Sequence, residues 1–243
     1  MPEILRTVLA PVLLVQGRRM FRTMPRLRPP TGDATGAAGE GAPLRLLVVG
    51  DSAAAGYGAD TLDQALPGRL AGGFAARGRR VTWSMFARFG STAAKTRAFI
   101  AKQEPFDVDL VVLSLGINDV IGGASQAAFL RDVQGLTADL HARFGGPLVV
   151  ASGLPPVGDF PALPQPMRFV IGRQRDRYDA ALHAWADAAE GVVYVPTGFT
   201  GDGPYREGEV TAGELMAADG FHPGPLIYHE WARRVVAAAG GRV

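Results

Sequence analysis

The most constraining feature of the sequence is an apolar run, residues 44–49, that leads into a turn of small residues. The run is interrupted only by Arg45 and ends at Gly50 and Asp51. This length and composition are typical of a strand covered on both faces in a parallel sheet. In open α/β sheets, ligands bind outside the carboxyl ends of the strands. Ser52 lies just past such an end, so its hydroxyl is predicted to act either as a nucleophile or as the cap of the next helix.

Similar short apolar runs recur along the chain and alternate with segments of helical periodicity. Ser52, Gly90 and Asn118 follow three of the runs, so the turns that carry them are expected at one edge of the sheet. The alternation predicts a three-layer α/β/α sandwich, flavodoxin-like, on a five-stranded parallel sheet. Its strands are predicted at 44–49, 81–86, 110–115, 148–152 and 192–195, and its helices at 61–74, 93–102, 125–144, 166–189 and 225–239.

Two segments differ from this pattern. Residues 29–43 are rich in glycine, alanine and proline and are predicted to form a linker or a loosely held loop. They divide the chain into a basic, apolar arm with its linker, residues 1–43, and a single domain, residues 44–243. Residues 197–218 are polar and glycine-rich and are predicted to be irregular.

The charge is unevenly distributed. Residues 1–30 contain six arginines and one glutamate, a net charge of +5, so with +2 for the whole chain the remainder carries −3. A nucleic-acid-binding domain is expected to carry its basic residues on the folded body, so this distribution excludes that class of partner. The chain has no cysteine, which excludes disulfides, a thiol nucleophile and zinc held by cysteine.

The arm contains an apolar run, residues 7–16, that is too short to span a bilayer. Arginines follow the run instead of preceding it and no small-residue cleavage site is present, so we expect a cytoplasmic protein without a signal peptide. Two interpretations remain: the run packs on the domain, or residues 1–28 make a peripheral membrane contact. Pro11 is expected to interrupt an amphipathic helix, which favours packing on the domain.

The chain offers four histidines as a general base, and His222 has the most suggestive context. The others lie within helical patterns, whereas His222 lies in a loop three residues after Asp219. One turn could therefore direct the carboxylate at the imidazole, as acyl transfer requires. The same two residues could also serve only as turn and cap residues.

Four blocks together resemble the SGNH hydrolase superfamily, the GDSL-type esterases and lipases. They are Gly50-Asp51-Ser52, then Gly90, Gly116-x-Asn118-Asp119 and Asp219-x-x-His222, in this order over residues 44–240. The first block has Ala53 where the name-giving motif has leucine. The resemblance implies that Ser52 is the nucleophile, His222 the base and Asp219 the residue that orients it. It also implies an oxyanion hole formed by the Ser52 and Gly90 N–H groups and the Asn118 amide.

Other catalytic motifs are absent from the sequence. It contains no G-x-S-x-G elbow, P-loop, dinucleotide fingerprint or H-E-x-x-H motif. We therefore expect neither a cofactor nor a metal. Asp51 and Asp119 are expected to accept backbone N–H bonds in their turns, outside the catalytic set.

These observations predict a serine esterase that hydrolyses small-molecule carboxylic esters with a short to medium acyl chain. The proline-rich loop at residues 153–166 is expected to be functional or a lid. Together with the start of the next helix it is predicted to line the acyl pocket with Leu154, Phe160, Leu163, Met167 and Phe169. The alternatives are a thioesterase or lysophospholipase with the same residues, or a catalytically silent α/β module that binds a ligand. The oligomeric state is left open.

Overall fold

The computed structural model describes residues 2–197 and 215–243, so most of the segment predicted to be irregular lies outside the described residues. Its centre is a six-stranded sheet with the order β1-β3-β2-β4-β5-β6. The strands are β1 (Thr35–Ala38), β2 (Ala42–Gly50), β3 (Arg79–Ala87), β4 (Leu110–Ser114), β5 (Leu148–Ser152) and β6 (Val192–Val195). Strands β2 to β6 are mutually parallel, as predicted.

Strand β1 differs from the prediction, because it lies in the segment expected to be a linker. It pairs antiparallel with β3 at the edge of the sheet, from Thr35 opposite Ser84 to Ala38 opposite Val81. Its glycine and alanine side chains give no apolar alternation that would predict a strand. The backbone still pairs there because the open edge of β3 offers unsatisfied N–H and C=O groups. The sheet therefore has six strands instead of five.

Helices cover both faces of the sheet and complete the three layers. Helices α2 and α7 pack on one face and α3, α5 and α6 on the other, while α1 packs against α6 outside the layers. The described helices are α1 (Pro2–Thr23), α2 (Leu66–Ala75), α3 (Ala93–Ile100), α4 (Ile117–Gly122), α5 (Gln126–Arg143), α6 (Met167–Ala188) and α7 (Pro225–Ala239). A 3₁₀ turn, Val157–Asp159, interrupts the proline-rich loop.

The connections that leave β2 and β3 lie on opposite faces of the sheet. The strand order therefore reverses between β2 and β4, which is the topological switch point of the sheet. The connection from β2 to β3 carries α2, and the connection from β3 to β4 passes over β2 and carries α3. The crevice at such a switch point is where α/β sheets bind ligands. The carboxyl ends of β2 and β4 are Gly50 and Ser114, which lie opposite each other in the ladder.

Helix α1 corrects the prediction for Pro11, because the helix runs through that position to Thr23. Proline removes one backbone N–H from the ladder. The helix is nevertheless anchored by its inner side, where Met20 is buried and Gln16 bonds to residues at the start of α6. Of the helices in residues 2–197 and 215–243, none combines the length and apolar character needed to cross a bilayer.

Candidate active site

The turn after β2 is shaped by close contact between two strands. A Cβ on Gly50 would lie 2.2 Å from the carbonyl oxygen of Ser114, so only glycine fits at this position. The N–H of Asp51 donates to that same carbonyl at 3.1 Å. The Asp51 side chain in turn accepts, through Oδ1, the N–H of Ala53 at 3.0 Å. These bonds hold Ser52 at the opening of the crevice between β2 and β4. Only 7% of the surface of Ser52 is exposed to solvent.

Ser52, His222 and Asp219 form a continuous chain of hydrogen bonds. The Ser52 Oγ lies 2.9 Å from His222 Nε2, and His222 Nδ1 lies 2.6 Å from Asp219 Oδ2. Residues 52 and 222 are far apart in the sequence, so the fold brings them together. All three residues are buried. Such a chain lets an imidazole accept the proton of a serine hydroxyl as that hydroxyl attacks a carbonyl carbon.

The loop that carries His222 is built around the Asp219 carboxylate. Its Oδ1 accepts the N–H groups of Phe221 and His222, each at 3.0 Å, while Oδ2 faces the imidazole. Burial alone would raise the pKa of the Asp219 carboxyl, but the bonds from the His222 ring and the two backbone N–H groups hold this pKa below its usual range. Asp219 is therefore ionised at neutral pH and oriented toward Nδ1.

Asn118 connects the turns that follow three different strands. It lies in α4, directly after β4, and its Nδ2 donates to Asp51 Oδ2 at 3.2 Å and to the carbonyl oxygen of Ser91 at 3.1 Å. Ser91 follows Gly90, which has a φ of +68° and open space where a Cβ would lie. The structure thus brings Asn118 and the neighbours of Ser52 and Gly90 to one place.

Asp51 and Asp119 are both used inside the turns, and each accepts a backbone N–H. Asp119 accepts the N–H of Ala93 at the start of α3, at 3.1 and 3.3 Å for its two oxygens. Asp51 has a further contact that the sequence did not indicate, the bond from Asn118. Burial raises the pKa of each carboxyl to about 6.

Aromatic side chains surround the imidazole on its outer side. The ring centroids of Tyr57 and Phe89 lie 5.9 and 5.7 Å from that of His222, and Phe89 is 62% exposed. Deeper in the site, the Tyr228 hydroxyl donates to the carbonyl oxygens of Ala53 at 3.1 Å and Tyr57 at 2.7 Å. Burial raises the pKa of Tyr228 well above its ordinary value, which keeps this hydroxyl protonated as a donor.

An apolar cavity of about 100 Å³ opens beside Ser52 and His222. Its walls come from the ends of β2 and β4, the proline-rich loop, the loop that carries His222, and α7. The main apolar side chains are Leu115, Ile117, Pro155, Phe160, Leu215, Met216, Phe221, Ile227 and Trp231. The Trp231 indole N–H donates to Ser152 Oγ at 3.1 Å, which fixes the ring at the end of β5.

Of the five residues predicted to line the acyl pocket, one lines this cavity and four do not. Phe160 does line it, whereas Leu154 and Leu163 are fully packed in the core. Met167 points the other way, toward Gly17 of α1, and Phe169 is 52% exposed. Ile227 and Trp231 take their place from α7, where helical spacing made them indistinguishable from ordinary core positions.

No group of three His, Asp or Glu side chains in the described part of the chain is arranged to hold a metal ion. The site consists instead of a hydroxyl, an imidazole and a carboxylate in sequence, with amide donors and an apolar cavity beside them. These are the groups that acyl transfer by a serine hydrolase needs.

Comparison with known proteins agrees with this class of site. The model of the GDSL-like lipase/acylhydrolase family matches residues 48–229, and the chain belongs to that family. Among curated proteins it is 30% identical over 193 residues to the GDSL-like esterase Rv1075c of Mycobacterium tuberculosis. That match covers 76% of this chain, and the chain spans 58% of the length of this relative.

Solved structures share the fold. The lipase Lip_vut3 from a goat rumen metagenome superposes with a TM-score of 0.64 at 17% identity, covering 82% of this chain and 99% of its own. Est24, a carbohydrate acetylesterase from Sinorhizobium meliloti, gives a TM-score of 0.56 at 12% identity, covering 82% of this chain and 100% of its own. Both comparisons support the three-layer α/β/α architecture, including the sheet of mostly parallel strands.

Proposed function

We propose that this protein hydrolyses carboxylic acyl esters of short to medium chain length through an acyl-enzyme on Ser52. The observation that carries the proposal is the hydrogen-bonded chain from Ser52 through His222 to Asp219, with distances of 2.9 and 2.6 Å, at the mouth of an apolar cavity. Members of the family to which the chain belongs are described as lipases and acylhydrolases, which fits this reaction.

In the first half of the reaction, Ser52 Oγ attacks the ester carbonyl carbon and its proton moves to His222 Nε2. The new C–O bond converts the carbonyl oxygen into an oxyanion. Asp219, ionised and bonded to Nδ1, stabilises the imidazolium that forms. As the tetrahedral intermediate collapses, the bond to the alcohol oxygen breaks, and His222 returns the proton to the departing alcohol.

Three donors are assigned to the oxyanion: the backbone N–H groups of Ser52 and Gly90 and the side-chain amide of Asn118. In the resting site, the two Asn118 Nδ2 contacts are with Asp51 and with the Ser91 carbonyl. The bond to Asp51 holds the amide in place, so the hydrogen directed at Ser91 is the one that an oxyanion would compete for. Fixed donors of this kind stabilise charge only as it develops in the transition state.

In the second half, water attacks the acyl-enzyme. His222 Nε2 takes one proton from the water as its oxygen bonds to the acyl carbon, and then returns that proton to Ser52 Oγ as the carboxylic acid leaves. The apolar cavity beside Ser52 is assigned to the acyl chain, because its lining offers mainly carbon atoms to a bound group. Each methylene buried there is worth about 0.8 kcal/mol of binding.

The proposal is tested by hydrolysis of a series of 4-nitrophenyl esters that differ only in acyl length. We expect a maximum of kcat/KM at short to medium chains, and a loss of at least about 10⁴-fold in Ser52→Ala. Ser84→Ala is the matched control, because it removes a hydroxyl from β3, away from the site. Equal rates for the wild type and Ser52→Ala would overturn the assignment of the nucleophile.

The same series separates the alternatives. If folded wild-type protein binds the esters but releases no acid, the chain is a ligand-binding module and not an esterase. If matched acyl thioesters are cleaved with a kcat/KM well above that of the oxygen esters, thioester hydrolysis is the main activity and the proposed ester preference is wrong. Lysophospholipids, supplied as monomers, test the lysophospholipase alternative in the same way.

A further inference from the structure

Helix α1 lies outside the three layers, and one of its sides is accounted for by packing on the domain. The Gln16 side chain donates to the carbonyl oxygen of Gln165 at 2.7 Å and accepts the N–H of Met167 at 3.2 Å. Met20 is 7% exposed, and the methyl end of Met167 lies against Gly17. These contacts explain why the inner side of the helix is partly buried. The opposite side has no packing partner in the described part of the chain.

The outer side of α1 carries an unusual concentration of exposed apolar side chains. Five of the nine large hydrophobic residues that are exposed in the described part of the chain lie on this helix: Val8, Val12, Leu14, Val15 and Phe21, with exposures from 44% to 70%. A helix that only packs on a domain needs apolar residues on one face. Here they occupy both faces, so packing on α6 does not explain the outer set.

Arginines share this outer face. At 3.6 residues per turn, Val8, Pro11, Val15, Arg18 and Arg22 fall within an arc of about 80° around the helix axis. The apolar members come first along the helix, and the arginines follow about one turn later. Arginine can extend its apolar stem along such a surface while its guanidinium reaches water or a phosphate.

The positive charge of this segment is not neutralised within the described residues. None of Arg18, Arg19, Arg22, Arg26 and Arg28 makes an ion pair with a carboxylate there, whereas arginines of the domain such as Arg45, Arg97 and Arg233 each do. Residues 31–243 carry a net charge of −3, yet no carboxylate among the described residues pairs with these five arginines. The segment therefore combines exposed hydrocarbon with positive charge that no carboxylate of the described residues neutralises.

We propose that the outer face of α1 binds the surface of an anionic lipid bilayer, with the helix lying in the plane of the interface. Apolar side chains enter the boundary of the acyl region and the arginines contact the lipid phosphates, so buried apolar area and attraction to anionic lipid both contribute to binding. A second copy of the chain fits less well, because it would bring a second set of unpaired arginines against the first.

The position of α1 gives this contact a consequence for the candidate active site. One open cleft is lined jointly by α1, through Arg19 and Met20, by Ala162 and Pro164 of the proline-rich loop, and by Asp219. A helix is about 10 Å in diameter. Binding through the outer face of α1 would thus hold the loop that carries Asp219 and His222 about one helix diameter from the lipid surface. The lipid contact itself does not depend on the proposed esterase activity.

The experiment is co-sedimentation of the full chain with vesicles of phosphatidylcholine, with or without phosphatidylglycerol. We expect binding to the anionic vesicles, weakened by added salt, and little binding to the neutral ones. Arg18→Gln/Arg22→Gln is expected to lower the partition coefficient by roughly 30-fold, since each arginine near an anionic surface contributes about 1 kcal/mol. Val8→Ser/Val15→Ser, at exposed positions, should also weaken binding.

Arg80→Gln/Arg131→Gln is the matched control, because it removes the same charge from exposed positions of the domain. It should bind vesicles within about threefold of the wild type, and thermal melting checks that each variant is folded. Absence of wild-type binding to anionic vesicles overturns the proposal, as does an equal loss in both arginine pairs. A dimer in sedimentation velocity that Val8→Ser/Val15→Ser converts to monomer, with no vesicle binding, would assign the face to a second copy instead.

Discussion

The exchange Asp219→Asn tests how the imidazole of His222 is held. One carboxylate oxygen accepts two backbone N–H groups at 3.0 Å, and the other lies 2.6 Å from His222 Nδ1. An asparagine that keeps its oxygen on the two backbone donors must turn its NH₂ group toward Nδ1. Two donors cannot face each other, so the imidazole would carry its proton on Nε2. That nitrogen would then present N–H to Ser52 instead of the lone pair that accepts its proton.

The magnitude follows from the loss of the general base. In a serine protease with a triad of this kind, the same exchange lowers kcat by about 10⁴-fold. We expect kcat to fall by roughly 10³ to 10⁴-fold in Asp219→Asn, or about 4 to 5.5 kcal/mol of transition-state stabilisation. KM should change little, because Asp219 reaches the substrate only through His222. Stability should also change little, because the two backbone bonds of the loop are retained.

The assay is steady-state hydrolysis of the best 4-nitrophenyl ester, with urea unfolding of the same samples. Asp159→Asn is the matched control, since Asp159 also borders the cavity but has no bond to the imidazole, and it should retain activity close to that of the wild type. If Asp219→Asn stays within about tenfold of the wild type, the carboxylate does not set the tautomer, and the role assigned to it is wrong.

Three further predictions concern the surrounding groups. Asn118→Ala should lower kcat by about 10² to 10³-fold with a smaller effect on KM, as loss of an oxyanion donor does; an unchanged kcat would remove Asn118 from the oxyanion hole. Trp231→Ala, which opens the end of the cavity on α7, should shift the kcat/KM maximum of the ester series to longer chains, whereas the same maximum with lower activity would place the acyl chain elsewhere. Burial raises the pKa of Asp119 to about 6. Between about pH 4 and 6 the folded state therefore keeps a proton that the unfolded state has released, and the free energy of unfolding of the wild type falls as the pH rises through that window. Asp119→Asn lacks this term, so its stability relative to the wild type should rise by up to roughly 3 kcal/mol from pH 4 to pH 7 in urea unfolding; a pH-independent difference would contradict the cause given for the shift.

The parallel part of the fold could be predicted from the sequence because buried strands have a clear signature. The runs that became β2 to β6 are short, mostly apolar or β-branched, and the helices between them repeat at helical spacing. Strand β1 could not be predicted in this way, because Thr35–Ala38 has no apolar pattern and pairs only through its backbone. Helix α1 was expected to break at Pro11, but contacts with α6 from outside the segment keep it helical.

Some residues of the candidate site could likewise be predicted from the sequence, and others could not. Ser52, Gly90, Asn118 and the loop of His222 follow strand ends or lie in loops, so the topology of a parallel sheet was enough to expect the turns at one edge. The apolar residues after β5 were different, because a proline-rich loop has no period that tells which side chains face a cavity. Trp231 does lie in a segment with a clear helical period. That period indicates only that the side chain is buried, and a residue in the core and a residue in a cavity wall are both buried.

The central claim, that Ser52 is an activated nucleophile, is tested most directly by covalent labelling. A fluorophosphonate reacts when an activated serine oxygen bonds to phosphorus and fluoride leaves, and the adduct is read by intact mass and by peptide mapping. We expect one adduct per chain, on Ser52, absent in Ser52→Ala and formed far more slowly in Asp219→Asn. Folded wild-type protein that takes no label at Ser52, or takes it at another residue, would contradict the account.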